Sequence, residues 1–164
     1  MNKLKSIVRD NILQLSPYSS AREEYYSSKE ILLDANENPY GLLNRYPDPF
    51  QNKLRVSLSK MKKISKASIF IGNGSDQIID LAFRVFCNPG IDKALTFIPT
   101  YGMYQVSADI NNVELIKLAL NKDFQIEKEG LKTLLKNPSI KLLFLCSPNN
   151  PTGNCINIED ILFL

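Results

Sequence analysis

Leu142–Gly153 reads LLFLCSPNNPTG, and its two halves obey different rules. Leu142 to Cys146 is a short apolar run, the composition of a strand buried on both faces of a parallel sheet. Ser147–Gly153 concentrates turn-formers. Pro148 and Pro151 each remove a backbone donor and hold the preceding residue extended. A loop stiffened in this way can fix a side-chain amide at one position, and Asn150 offers both a donor and an acceptor there. In open α/β sheets, ligands bind outside the carboxyl ends of the strands, which is where this loop falls. A polar strand-to-helix turn is the plain structural alternative, and it accounts for any generic Asn-Pro-x-Gly.

Two further strand ends lie upstream. Ala67–Ile71 reads as a strand, followed by Gly72-Asn73-Gly74-Ser75-Asp76-Gln77 and a largely apolar helix over Ile78–Phe86. Free amides at a helix N-terminus attract anions, and glycines allow close approach of a phosphate. The stretch lacks the third glycine of a dinucleotide fingerprint and the Gly-Lys-Ser/Thr of a P-loop, so one phosphate monoester suits it better than a pyrophosphate. Ser75 or Asp76 would also serve simply as a helix cap. Ala94–Ile98 is the next apolar strand, and Pro99-Thr100-Tyr101-Gly102-Met103-Tyr104 follows it. An aromatic at that place can lie against a planar ring, a contact worth about 0.5–1.5 kcal/mol beyond burial. Ordinary packing is the competing reading for these tyrosines. Strands at 67–71, 94–98 and 142–146 are expected in one sheet, with loops 72–77, 99–104 and 147–153 on one edge.

Elsewhere, residues 1–30 read as an arm, with a weak helical stripe through Ile7, Ile12, Leu13 and Leu15 and a polar stretch over Tyr18–Glu30. Such an arm packs on another subunit or frays. Ile31–Gly41, ILLDANENPYG, begins as a short strand and breaks into a polar cluster, Asp34, Asn36, Glu37 and Asn38. Phe50–Lys63 has apolar Leu54, Leu58 and Met61 at helical spacing and ends in a lysine patch suited to a helix C-terminus. Helices are also expected at Tyr104–Ile110 and Glu127–Lys136, a strand at Val113–Leu118, an extended pair at Phe124–Gln125, and a new element from Ile156.

The 164 residues suffice for one ordinary domain, and 44% apolar with 23% charged residues is a globular composition. The net charge of +3 is spread along the chain. Its densest patch, Lys60–Lys66, has no interleaved aromatics, which argues against nucleic-acid binding. There is no histidine, and Cys87, Cys146 and Cys155 show no CxxC spacing, so a metal site is not expected. Isolated thiols suit a reducing cytosol. The N-terminus lacks a signal-peptide core and no run has bilayer-spanning length, so the expected location is cytoplasmic, with no membrane partner. The fold class is α/β, a mainly parallel sheet with flanking helices.

DANENPYG (34–41), RYPDP (45–49), GNGSDQ (72–77), PTYGMY (99–104) and SPNNPTG (147–153) together resemble the class I/II, fold-type I pyridoxal-phosphate aminotransferases. The similarity is greatest to the histidinol-phosphate aminotransferase family. The resemblance implies an N-terminal arm and substrate-mouth segment over 1–40 and the first part of the cofactor-binding large domain over 41–164, truncated before its remainder and the small domain. It implies pyridoxal 5'-phosphate as cofactor: Ser75, Asp76 and Gln77 at its phosphate, Tyr101 stacked on its ring, Asn150 at its phenolic oxygen. Tyr46 would reach the phosphate across a homodimer, and Asn36, Glu37 and Asn38 would line the substrate mouth. The implied substrates are a phosphorylated amino alcohol and the pair 2-oxoglutarate/glutamate, in histidine biosynthesis. Gln77 departs from the family's glutamate. No catalytic residue is implied within this chain, because the family's Schiff-base lysine falls beyond residue 164. The alternatives are an aromatic aminotransferase, a threonine-phosphate decarboxylase, or a non-catalytic module for phosphate esters.

Overall fold

The computed structural model describes residues 3–18, 31 and 33–164. They fall into two compact units, one holding residues up to Leu15 together with Gly72–Leu164, the other Ser16–Ile71.

In the larger unit, a 3-10 turn at Lys3–Ser6 leads to the short helix α1 (Asp10–Leu13). The Arg9 backbone N–H donates to the Val85 carbonyl at 3.0 Å, and its guanidinium Nη1 donates to the Arg84 carbonyl at 2.8 Å. The beginning of the arm is thus fastened to its own chain. Most of the polar stretch read at Tyr18–Glu30 lies outside the described residues, as does part of the strand read at 31–33.

The smaller unit holds helix α2 (Asn52–Lys62), closed by Lys63 in the left-handed region, and a 3-10 turn at Lys66–Ser68. That turn corrects the strand expected at 67–71. The Ser65 hydroxyl accepts from the Ala67 amide and initiates the turn, which uses up the front of the apolar run. Ile69–Ile71 then have no ladder partner among the described residues.

The rest of the larger unit is an α/β layer structure. Helix α3 (Gly74–Phe86) is followed by strand β1 (Lys93–Ile98), helix α4 (Met103–Ile110), strand β2 (Glu114–Ala119), helix α5 (Leu131–Leu135), strand β3 (Ile140–Phe144) and helix α6 (Ile158–Phe163). The sheet order is β2-β1-β3, parallel throughout, with Leu95 opposite Ile116 and Leu143. As the central strand, β1 buries Ala94 through Phe97 without a break, the pattern of a strand covered on both faces. Alternation divides those residues between two cores. Ala94 packs with Ile79 and Phe83 of α3, with Tyr104 and Ala108 of α4, and with Cys87 and Val113. Leu95 and Phe97 pack with Ile126, Leu131 and Ile156. Ile79 and Phe83 are one helical turn apart, so α3 presents both to the sheet. On its other side, the Asp80 carboxylate accepts from Arg84 Nε and from Asn111 Nδ2, each at 2.7 Å, which ties α3 to the end of α4. Those two bonds, Arg84's first, hold its pKa below the ordinary carboxylate value.

Several element ends move from their sequence positions. α3 begins at Gly74 instead of Ile78, so GNGSDQ supplies its first turn. The helix expected over Glu127–Lys136 shrinks to α5, because Gly130 at φ 72° takes the left-handed position just before it. Phe124, read as extended, adopts φ 54°, and Leu120 pairs with Ile126 in an isolated bridge.

Candidate functional site

Each of three loops meets the next through named hydrogen bonds within the larger unit. The Tyr101 hydroxyl donates to Asp76 Oδ1 at 2.8 Å, joining the loop after β1 to the first turn of α3. The Thr100 hydroxyl donates to Asn149 Oδ1 at 3.0 Å, and Asn149 Nδ2 donates to the Pro99 carbonyl at 2.9 Å. These bonds join the loops after β1 and β3. Ser75, Tyr101 and Asn150 therefore sit on loops that converge, although the first of them follows an unpaired segment and not a third strand.

At α3 the sequence has built an open helix start. The Asn73 amide donates to Gln77 Oε1 at 2.6 Å, so the Gln77 side chain reaches back to the capping residue. Only an acceptor oxygen is needed for this, and glutamine supplies one without adding negative charge to the helix start. The backbone amides of Ser75 and Asp76 lie in the first turn of α3, where an N–H has no acceptor within the helix. Gly74 sits at φ 78°, and a Cβ built there meets nothing within 4 Å, so the turn faces open space. Ser75, Asp76 and Gln77 are all exposed.

Tyr101 is held from both ends. Its ring meets Tyr104 edge-on, centroids 5.8 Å apart, and Tyr104 stacks on Phe144 at 4.9 Å and 21°. The bond to the Asp76 carboxylate, then burial, then the carboxylate's charge raise the Tyr101 phenol above its ordinary pKa. Raised in the folded state, this group contributes stability that is complete below about pH 10 and is lost as pH climbs through the folded value. Asp76→Asn should bring the Tyr101 ionisation back toward that of free tyrosine in an ultraviolet pH titration. An unchanged titration would mean that the hydrogen bond does not form in solution. Burial pushes the Tyr104 phenol up to about 12.

The two asparagines of the loop after β3 have opposite surroundings. Asn149 is 4% exposed, with both amide functions taken. Asn150 is exposed, and its amide has no partner among the described residues. The peptide between Asn150 and Pro151 is cis, as are those before Pro99 and Pro148.

In the smaller unit, the segments read as substrate mouth and as Arg-Tyr-Pro fold onto each other. Glu37 Oε1 accepts from the Tyr46 amide at 2.8 Å, and Oε2 accepts from Arg45 Nη1 at 2.6 Å. Asn44 Nδ2 donates to the Asn38 carbonyl at 2.7 Å, and Asn38 Oδ1 accepts from the Tyr40 amide at 3.0 Å. The Glu37 side chain is 5% exposed, whereas Asn36 and Asn38 are exposed and Tyr46 is 62% exposed. Sequence reasoning missed Asn149, Thr100 and the Asp76–Tyr101 pair. The doubled asparagine in SPNNPTG was the one visible hint.

The family model for aminotransferase class I and II matches residues 17–164. The chain belongs to that family. It is 52% identical over 164 residues to a histidinol-phosphate aminotransferase of Bacteroides fragilis, covering 99% of this chain and 47% of the relative. To the enzyme of that name from Bacteroides thetaiotaomicron it is 54% identical over 167 residues, covering 99% of this chain and 48% of the relative. This class I and II aminotransferase chain thus spans about half the length of the curated relatives it matches. Among solved structures, the histidinol-phosphate aminotransferase of Clostridium acetobutylicum superposes with a TM-score of 0.63 at 26% identity, over 74% of this chain and 34% of that one. Among the described residues, no helix is long and apolar enough to cross a membrane.

Proposed function

We propose that these residues form the cofactor-phosphate and cofactor-ring portion of a pyridoxal-phosphate-dependent histidinol-phosphate aminotransferase. That enzyme exchanges an amino group between L-histidinol phosphate and 2-oxoglutarate, giving imidazole acetol phosphate and glutamate. The observation that carries the reading is the set of convergent loops, with bonds from Asp76 to Tyr101 and from Thr100 to Asn149. They gather open amides, an aromatic ring and an unpartnered amide side chain, which match a phosphate, a planar heterocycle and a phenolic oxygen respectively. The identity of about half the residues to relatives of that name supports the choice of substrate.

When bound, pyridoxal phosphate supplies the electron sink, and the protein supplies binding, orientation and electrostatics. The Ser75 hydroxyl and the amides of Ser75 and Asp76 bind its phosphate at the start of α3, where the helix dipole favours an anion, and Gln77 holds the capping residue beside it. Tyr101 lies against the ring, steadied by Asp76 and Tyr104. Asn150 donates to the phenolic oxygen. In a cytoplasmic homodimer, Tyr46 of one subunit reaches the other subunit's phosphate. Asn36 and Asn38 line the substrate mouth, and Glu37 holds that segment against Arg45 and Tyr46.

A full-length form of the protein, loaded with pyridoxal phosphate, should form glutamate from 2-oxoglutarate with L-histidinol phosphate as donor. It should do so far more slowly with tyrosine or aspartate. Equal or faster turnover with tyrosine would transfer the assignment to an aromatic aminotransferase. The 164-residue chain by itself should show no stoichiometric, borohydride-trappable attachment of pyridoxal phosphate at one lysine, since no lysine in it has the family's context. Trapping at a single lysine would overturn that expectation.

A further inference from the structure

The backbone ladder between β1 and β3 has its last pair at Thr96 and Phe144. Beyond that pair the two chains run on toward Tyr101 and Asn150 with no ladder bond between them. Where the ladder stops, the Asn149 side chain takes over. Its Nδ2 donates to the Pro99 carbonyl at 2.9 Å and to the Thr152 hydroxyl at 2.8 Å, and its Oδ1 accepts from the Thr100 hydroxyl at 3.0 Å. Its main chain closes its own loop: the amide donates to the Asn154 carbonyl at 2.8 Å, and the carbonyl accepts from the Gly153 amide at 2.7 Å. The Thr152 hydroxyl in turn donates to Asn154 Oδ1. Both donors and the acceptor of this amide are therefore in use at a position only 4% exposed. A shorter or apolar residue there leaves the Pro99 carbonyl and the two hydroxyls to find other partners.

The partners are placed to matter for binding. Pro99 and Thr100 are the two residues immediately before Tyr101, and Asn149 is covalently followed by Asn150. One buried side chain thus holds the peptide entering the ring-stacking tyrosine at a fixed distance from the amide that would meet the ring's oxygen. We propose that Asn149 is a positioning residue, one that sets the spacing of Tyr101 and Asn150 across the cofactor ring without touching the cofactor. This rests on the pyridoxal-phosphate reading given above. It assigns the two asparagines of SPNNPTG to different tasks, the first to geometry and the second to contact.

The test is a double-mutant cycle in a full-length form of the protein, with pyridoxal phosphate itself as the probe, alongside hydrogen exchange of the cofactor-free protein. Asn149→Ala should weaken pyridoxal phosphate about tenfold while far-UV circular dichroism stays unchanged. In an Asn150→Ala background the same change should weaken binding less than about threefold, because positioned and positioning groups are coupled. Without cofactor, Asn149→Ala should speed exchange in the peptides spanning 99–104 and 147–154 together, leaving α3 unaffected. Penalties that multiply in the double variant, or exchange that rises in 147–154 alone, would overturn the proposal. If Asn149→Ala does not fold, Thr100→Val replaces it, and Thr100→Ser should restore the wild-type affinity and exchange. A Thr100→Ser variant no better than Thr100→Val overturns the proposal. If wild-type protein binds no pyridoxal phosphate, the functional reading falls, and the paired exchange of the two loops decides the role of Asn149 independently.

Discussion

Phe83→Ala should lower the unfolding free energy by about 3–5 kcal/mol, the range for deleting a buried aromatic from a packed core. Phe83 is fully buried, at 0% exposure. Its ring lies 5.1 Å from that of Phe144, which stacks at 4.9 Å on Tyr104, whose edge meets Tyr101 at 5.8 Å. Tyr101 then returns to Asp76 in the first turn of the same helix. The ring series therefore returns to the helix it began on, from the last turn of α3 through the sheet and α4 back to the start of α3. Removing Phe83 leaves a cavity at the base of this series, and the loss should extend to the order of Tyr101. Urea unfolding followed by circular dichroism measures the first effect, and the ultraviolet titration of Tyr101 registers the second. Phe83→Leu should lose less, since it fills most of the space. Ile91→Ala in the same unit, at a side chain 70% exposed, should stay within about 0.5 kcal/mol of wild type. A Phe83→Ala variant as stable as that one would mean that the core between α3 and β1 is not packed as described.

The parts of the fold that were legible in the sequence are those set by local pattern. The stretches read as strands at 94–98, 113–118 and 142–146 appear as β1, β2 and β3 within two residues. The rule that a strand covered on both faces is continuously apolar holds only for central β1. At a sheet edge, β3 is half-buried throughout instead of buried on both faces, and β2 leaves Glu114, Lys117 and Ala119 exposed. The same rule misled at 67–71. A run of apolar residues records burial or mere opportunity, and a ladder needs a partner that local sequence does not name. Strand order β2-β1-β3 is likewise a long-range property. At the candidate site, Tyr101 and Ser75 stood out because turn chemistry and position after an apolar segment marked them. Asn149 did not. Next to Asn150 it is chemically identical, and only burial and the contacts of Pro99, Thr100 and Thr152 separate the two. Glu37 was read as lining a mouth, yet its carboxylate is engaged by a backbone amide and an arginine from eight or nine residues later. Charge and spacing alone do not say whether such a group faces a ligand or its own chain.

Asn150→Ala in a full-length form should lower transamination about ten- to a hundredfold. It should also move the pH-dependent absorbance change of the bound cofactor to higher pH. Asn150 is exposed and its amide has no partner among the described residues, while its neighbour makes the structural bonds, so removing it costs the fold little. What it costs is a hydrogen bond to a charged oxygen, worth about 1.5–3 kcal/mol. At about 1.4 kcal/mol per factor of ten, that loss spans the stated range. The direction of the spectral shift follows from which form is favoured. A donor to the phenolic oxygen stabilises its anion, so losing the donor raises the oxygen's proton affinity and its pKa. Ser75→Ala separates the two ends of the cofactor. It should weaken retention of pyridoxal phosphate under dialysis and leave the midpoint of the absorbance titration in place, because its hydroxyl addresses the phosphate. Both variants should unfold at the wild-type urea midpoint. If Asn150→Ala titrates and turns over as wild type does, the Ser147–Gly153 loop is a turn and no more, and the assignment of the ring's oxygen to this edge of the sheet is wrong.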